Sequence, residues 1–89
     1  MIYTRLTIQA MNFAEQAHRG QVDKAGMPYI FHCYKVAEQA KDEDETAIAF
    51  LHDVIEDTLY TENYLRVGFP EFIVDKVVRL IPAGLRIRW

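Results

Sequence analysis

From Thr4 to His18 the apolar residues Leu6, Ala10, Phe13, Ala14 and Ala17 recur at helical spacing, with Thr4 placed as an N-cap. Gly20 stands where it would close that helix in a left-handed conformation. His18, in the last turn, reads as an imidazole that complements the helix dipole, in preference to a ligand. The pattern lapses over Gln21–Ile30, where Gly26 and Pro28 punctuate a polar stretch and Pro28 biases Met27 away from helix. A loop is predicted there, because no second β-patterned segment exists for it to pair with. His32 to Lys41 predicts a short helix with Val36, Ala37 and Ala40 inward. The acidic cluster Asp42–Glu45 approximates a capping box and suits the positive end of a helix that runs to about Asp57. Thr61 opens a short helical turn that Gly68 ends. Pro70 begins another helix, with Ile73, Val74, Val77, Val78 and Ile81 on its buried side. Beyond Leu80, Pro82 and Gly84 break the helix. Leu85, Ile87 and Trp89 then alternate with Arg86 and Arg88, like the start of an edge strand or an interfacial tail.

These elements predict an all-α domain over residues 1–89, a compact bundle of about four to five helices with an irregular tail over 80–89. Composition agrees. The chain has 89 residues, 51% hydrophobic and 26% charged, which suits one small globular domain with a thin margin of stability. A formal charge of −3 argues against nucleic acid as a partner, since no basic recognition face is available. It leaves a phosphorylated small molecule open, because a bound cation reverses the local field. The single Cys33 excludes an internal disulfide and reads as a small half-buried residue. No apolar run approaches the roughly 20 residues of a membrane span, and the N-terminus lacks a signal-peptide core. A cytoplasmic, membrane-free setting is expected.

Candidate chemistry concentrates in AIAFLHDVIEDT, Ala47 to Thr58. Wound as one helix, Ala47, Phe50, Leu51, Val54 and Ile55 share an apolar arc, while His52, Asp53, Glu56 and Asp57 fill most of the opposite arc beside small Ala49. Carboxylates that close together repel once ionised, so a cation belongs among them, and a divalent metal is the natural candidate. His32, at the start of its own helix beside the loop, supplies a second imidazole. His32, His52 and Asp53 together suit a transition metal with open positions for water. Glu56 and Asp57, one turn beyond His52 and Asp53, are placed to orient or deprotonate that water. The chemistry implied is metal-assisted hydrolysis of a phosphate ester or anhydride. Taken alone, an HD dipeptide reads as a solvated acidic helix face. The loop, His32 and the following EDT make it a site.

The run AHRGQVDKAGMPYIFH followed by AIAFLHDVIEDT, then GFP before a valine-rich helix, resembles the hydrolase domain of RelA/SpoT-type proteins, a branch of the HD-domain metal-dependent phosphohydrolases. The resemblance extends from Phe13 to about Leu80. It implies an all-helical fold and removal of the 3′-pyrophosphate from guanosine tetraphosphate or pentaphosphate, typically with manganese. It implies His32, His52 and Asp53 as metal ligands, Glu56 and Asp57 as handlers of the attacking water, and Lys24 as a holder of the nucleotide's phosphates.

Three departures accompany it. Asp23 stands where the family usually has an Arg that packs on guanine. Cys33 stands where Pro is usual. The family's fourth ligand, an aspartate on a later helix, has no counterpart, since Asp75 comes too early, so the match is to about the first half of a usual domain. On that reading an uncovered apolar surface favours a homo-oligomer. The alternative to an enzyme is an inactive, truncated relative that serves as an oligomerisation or interaction module.

Overall fold

The computed structural model of the chain describes residues 1–80, and these form six helices with no strand. They are α1 (Arg5–Ala17), α2 (Ile30–Glu38), α3 (Glu43–Leu51), α4 (Val54–Asp57), α5 (Glu62–Gly68) and α6 (Glu71–Arg79). Ile81 and the alternating stretch Leu85–Trp89 lie outside the described residues.

Local chemistry sets most of the helix ends. At α1 the Thr7 amide donates to Thr4 Oγ1 at 3.2 Å and the Thr4 amide donates to Thr7 Oγ1 at 2.7 Å, a reciprocal capping box. Gly20 follows with φ +88°, the left-handed turn expected of it. Asp42 caps α3 by accepting from the Glu45 amide at 2.8 Å, but the Glu45 carboxylate reaches back one residue further than a capping box requires, to the Lys41 amide at 2.7 Å. Thr61 caps α5 through the Tyr64 amide at 3.3 Å. α2 begins two residues earlier than the pattern predicts. The turn bonds Phe31 N–Pro28 O and His32 N–Tyr29 O, 3.1 and 2.9 Å, start its winding directly after the proline.

The core is centred on α3, which packs against α1, α2 and α6. Ala47, Phe50 and Leu51 are buried there, facing Ala10 and Ala14 of α1, Cys33 and Ala37 of α2, and Ile73, Val74, Val77 and Val78 of α6. Small residues on α1 and α2 let α3 approach closely, and the branched side chains of α6 fill what remains. Burying each such Val or Ile contributes about 1.5–3 kcal/mol. Phe13 joins α1 to the α5 region through Tyr60 and Phe69, with ring centroids 4.9 and 5.7 Å away.

Three expectations change. Val36, expected on the inward face of its helix, is exposed, because α2 turns Cys33 and Ala37 onto α3 instead. The helix predicted to run to Asp57 breaks at His52–Asp53. Asp53 has φ −93° and ψ −5°, the bridge region, which interrupts the helical ladder before α4 winds one further turn. The break adds α4 as one element beyond the expected four to five, while the all-α class stands. The Gln21–Ile30 loop also gains one antiparallel bridge, Val22 to Pro28, with Asp23 N donating to Met27 O at 2.8 Å.

Candidate metal centre

His32 in the first turn of α2, His52 at the end of α3 and Asp53 at the start of α4 come together. Each offers one ligand atom, and the three atoms lie within 4.8 Å of one another. His32 Nε2 is 3.7 Å and His52 Nε2 3.1 Å from Asp53 Oδ2. The break after His52 turns the Asp53 side chain inward. Asp53 is 9% exposed, so the arc expected to face solvent is half core, and Ala49 beside it is buried too.

Ala49 matters through its backbone. Its carbonyl oxygen lies 2.7 Å from His52 Nδ1 and can only accept, so the ring proton of a neutral His52 is on Nδ1. The Nε2 lone pair then faces a carboxylate oxygen. Two acceptors 3.1 Å apart require a proton or a cation between them. In the metal-free protein the Asp53 carboxylate, followed by the Ala49 carbonyl, holds the His52 imidazole above its ordinary range against the opposing effect of burial. For Asp53, burial pushes the carboxyl up, but the His52 and Tyr29 hydrogen bonds outweigh it and the net direction is down. An oriented neutral imidazole, a second imidazole and an ionised carboxylate form a donor set that fits a divalent transition metal.

Tyr29 was not legible as a functional residue. Its hydroxyl donates to Asp53 Oδ2 at 2.6 Å, and burial first, then this bond, pushes the phenol pKa up. Gln21 ties the loop to the site: its Nε2 donates to Asp57 O at 2.6 Å, and its Oε1 accepts from His18 Nδ1 at 2.9 Å. The sequence signal for Tyr29 is its place three residues before His32, which shares a helix face only because α2 starts early. His18 is buried and outside the ligand cluster, as expected, but it serves Gln21 and Tyr29 more than a helix dipole.

Glu56 is half-buried and its charge acts on His52. Asp57 is exposed, and its charge is felt at Tyr29 and Cys33. Both line a cleft of about 560 Å³ with Ala17, Gln21, Thr58, Leu59 and Tyr60. Lys24 is not drawn into the cluster. It is exposed on the loop, with no hydrogen bond or ion pair among the described residues. Asp23 has a structural use: its Oδ1 accepts from the Ala25 and Met27 amides at 2.8 and 3.0 Å and shapes the loop. Cys33 is fully buried with its thiol pushed up to about 11, by burial first and then by Asp53, which makes it unreactive and a poor ligand. Asp75 accepts from Arg66 Nη2 at 2.8 Å, an exposed pair outside the cluster. Among the described residues no helix is long and apolar enough to cross a membrane.

The chain is similar to known proteins over most of its length. The chain is 42% identical over 82 residues to the guanosine-3′,5′-bis(diphosphate) 3′-pyrophosphohydrolase of Haemophilus influenzae, covering 84% of this chain and 12% of that protein. It is 36% identical over 83 residues to the enzyme of the same name from Aquifex aeolicus, covering 89% and 11% respectively. Against the GTP pyrophosphokinase of Myxococcus xanthus the identity is 38% over 79 residues, covering 81% and 10%. The chain therefore spans 10 to 12% of the length of these curated relatives. The HD domain family profile matches residues 10–88, a span that contains His32, His52 and Asp53, and the chain belongs to the HD-domain family.

Proposed function

We propose that this domain is a metal-dependent phosphohydrolase that acts on a pyrophosphorylated guanosine nucleotide, with manganese held by His32, His52 and Asp53. The observation that carries the proposal is the His52 ring, whose proton is committed to Ala49 while Nε2 faces Asp53 Oδ2. The activity for which the Haemophilus and Aquifex relatives are named supports the substrate class. A divalent cation bound there contributes Lewis-acid chemistry toward a phosphoryl group. Glu56, whose charge reaches His52, takes a proton from the attacking water, and Asp57 orients that water. The water oxygen bonds to the phosphorus as the bond from that phosphorus to the ribose 3′-oxygen breaks, and the proton taken by Glu56 passes to the 3′-oxygen, leaving the 3′-hydroxyl and pyrophosphate. Lys24, unpartnered at the loop, swings onto the phosphates.

The test is pyrophosphate release from guanosine 3′,5′-bis(diphosphate) by manganese-loaded protein and by its His52→Ala and Glu56→Gln variants. Turnover lost in both variants is expected. Absence of turnover, or equal turnover in His52→Ala, refutes the proposal. Asp23 favours a second reading, a metal-holding module without turnover, since its carboxylate is committed to the loop backbone where the resemblance places a guanine-packing Arg. Manganese binding with no release from any guanosine polyphosphate would select it. Self-association belongs to either reading, because Tyr64, Val67 and Phe72 leave apolar surface exposed on α5 and α6. Sedimentation should show a dimer or larger species, and a clean monomer at micromolar concentration refutes this.

A further inference from the structure

We propose that Tyr29 is a positioning residue of this centre: its hydroxyl holds Asp53 Oδ2 in the one orientation that serves His32 and His52 together. This rests on the metal-site reading and adds a residue to it. Four observations converge on Tyr29. Its hydroxyl makes the shortest polar contact to the Asp53 carboxylate, 2.6 Å against 3.1 Å for His52 and 3.7 Å for His32. Its ring contacts two imidazoles, with centroids 4.7 Å from His18 and 5.3 Å from His32. Its backbone amide donates to Gln21 O at 2.9 Å, so the residue is anchored at both ends. Behind it, His18 is 2% exposed and its Nε2 is buried with no hydrogen-bond partner.

The last observation explains what His18 is for. A buried imidazole with one nitrogen unsatisfied costs about 1–3 kcal/mol. The ring's remaining contribution is its face, which packs on Tyr29. A carboxylate oxygen has two acceptor positions. With Tyr29 occupying one on Oδ2, the other is left toward the two imidazole nitrogens. Without the hydroxyl, the carboxylate is free to rotate about its Cβ–Cγ bond, and the ligand geometry is no longer prepared in advance. Hydrogen-bond partners behind metal ligands typically account for about 10–100-fold in affinity.

The experiment compares wild type, Tyr29→Phe and His52→Ala. Manganese affinity is measured by competition with a chromogenic chelator, and cobalt-loaded protein is read by its visible absorption. Tyr29→Phe keeps the ring and its contacts, so the far-ultraviolet circular dichroism should match wild type. Its manganese affinity should fall about 10–100-fold, and its cobalt spectrum at saturation should differ in shape, which a mere loss of stability would not produce. Equal affinity with an identical cobalt spectrum overturns the inference and leaves the metal site intact. Wild type that binds no more tightly than His52→Ala overturns the site and the inference together. If Tyr29→Phe does not fold, proton NMR of zinc-loaded wild type decides. A slowly exchanging Tyr29 hydroxyl proton close to Asp53 supports the inference, and its absence overturns it.

Discussion

Asp53→Asn separates two duties of one side chain. In the metal-free protein Asp53 Oδ2 accepts from Tyr29 at 2.6 Å and lies 3.1 Å from His52 Nε2. Both contacts fall on Oδ2, so an amide of the same shape that keeps an oxygen there for the Tyr29 hydroxyl offers the imidazole only that same neutral acceptor. Charge-assisted bonds worth about 1.5–3 kcal/mol become neutral ones worth about 0.5–1.5 kcal/mol, so the cost without metal is about 1–2 kcal/mol. For a domain of this size that lowers Tm by roughly 5–15 °C. Metal at a hundred times its Kd stabilises wild type by about 2.7 kcal/mol, roughly 10–20 °C in Tm. The carboxamide brings no anionic ligand, so the variant should gain almost none of this. Thermal melts followed by circular dichroism, in EDTA and then in manganese, measure both numbers on the same samples. A variant that gains the same manganese-dependent rise as wild type refutes the assignment of Asp53 as a ligand. A variant unfolded in EDTA refutes the hydrogen-bond accounting.

Without metal, pH should act through the same pair. Asp53 raises the His52 pKa above its ordinary 6.5, so that stabilisation is complete below 6.5 and lost as pH rises through the raised value. The Asp53 carboxyl is held below its ordinary 3.8, so its stabilisation is present above 3.8 and lost as pH falls through the lowered value. Urea midpoints in EDTA should therefore peak between those limits, and a His52→Ala profile that keeps the full decline on the neutral side contradicts this. Cys33, fully buried with a thiol pKa pushed up to about 11, should react with a disulfide reagent only as fast as the protein opens, and prompt labelling of the native protein at neutral pH would show its burial to be misjudged. Ile73→Ala, at a fully buried α6 position, should cost about 2–5 kcal/mol in urea denaturation, and a loss under about 1 kcal/mol would mean that α6 does not pack on α3.

Much of the fold is local in origin, and for that reason readable. Thr4, Asp42 and Thr61 cap helices through amides three residues away, a relation that sequence distance alone describes. The buried faces of α1 and α6 follow a period set by helix geometry, so Ala10, Ala14, Ile73, Val74, Val77 and Val78 were identifiable without neighbours. The candidate ligands were readable for a different reason. His32, His52 and Asp53 carry the donor chemistry, and their surrounding motifs resemble a known family.

What lay out of reach depends on where helices sit relative to one another. Tyr29 meets Asp53 across 24 residues of sequence, and Gln21 meets Asp57 across 36. No periodicity links such positions. The departure at Asp23 was visible as a letter, but its use, accepting two loop amides, required the turn to be built. The break at His52–Asp53 was hidden because both residues stay in right-handed backbone regions and a helical pattern continues past them. By itself, then, the sequence determined most of the helices, the caps of three of them, the inward faces of α1 and α6 and the residue types able to hold a cation, but not that Val36 of α2 is exposed. Only the tertiary structure decided that Asp53 turns into the core beneath Tyr29 and that Ala49 orients His52. Those outcomes come from the close approach of α2, α3 and the loop, a packing result that hydrogen-bond chemistry along a single helix cannot specify.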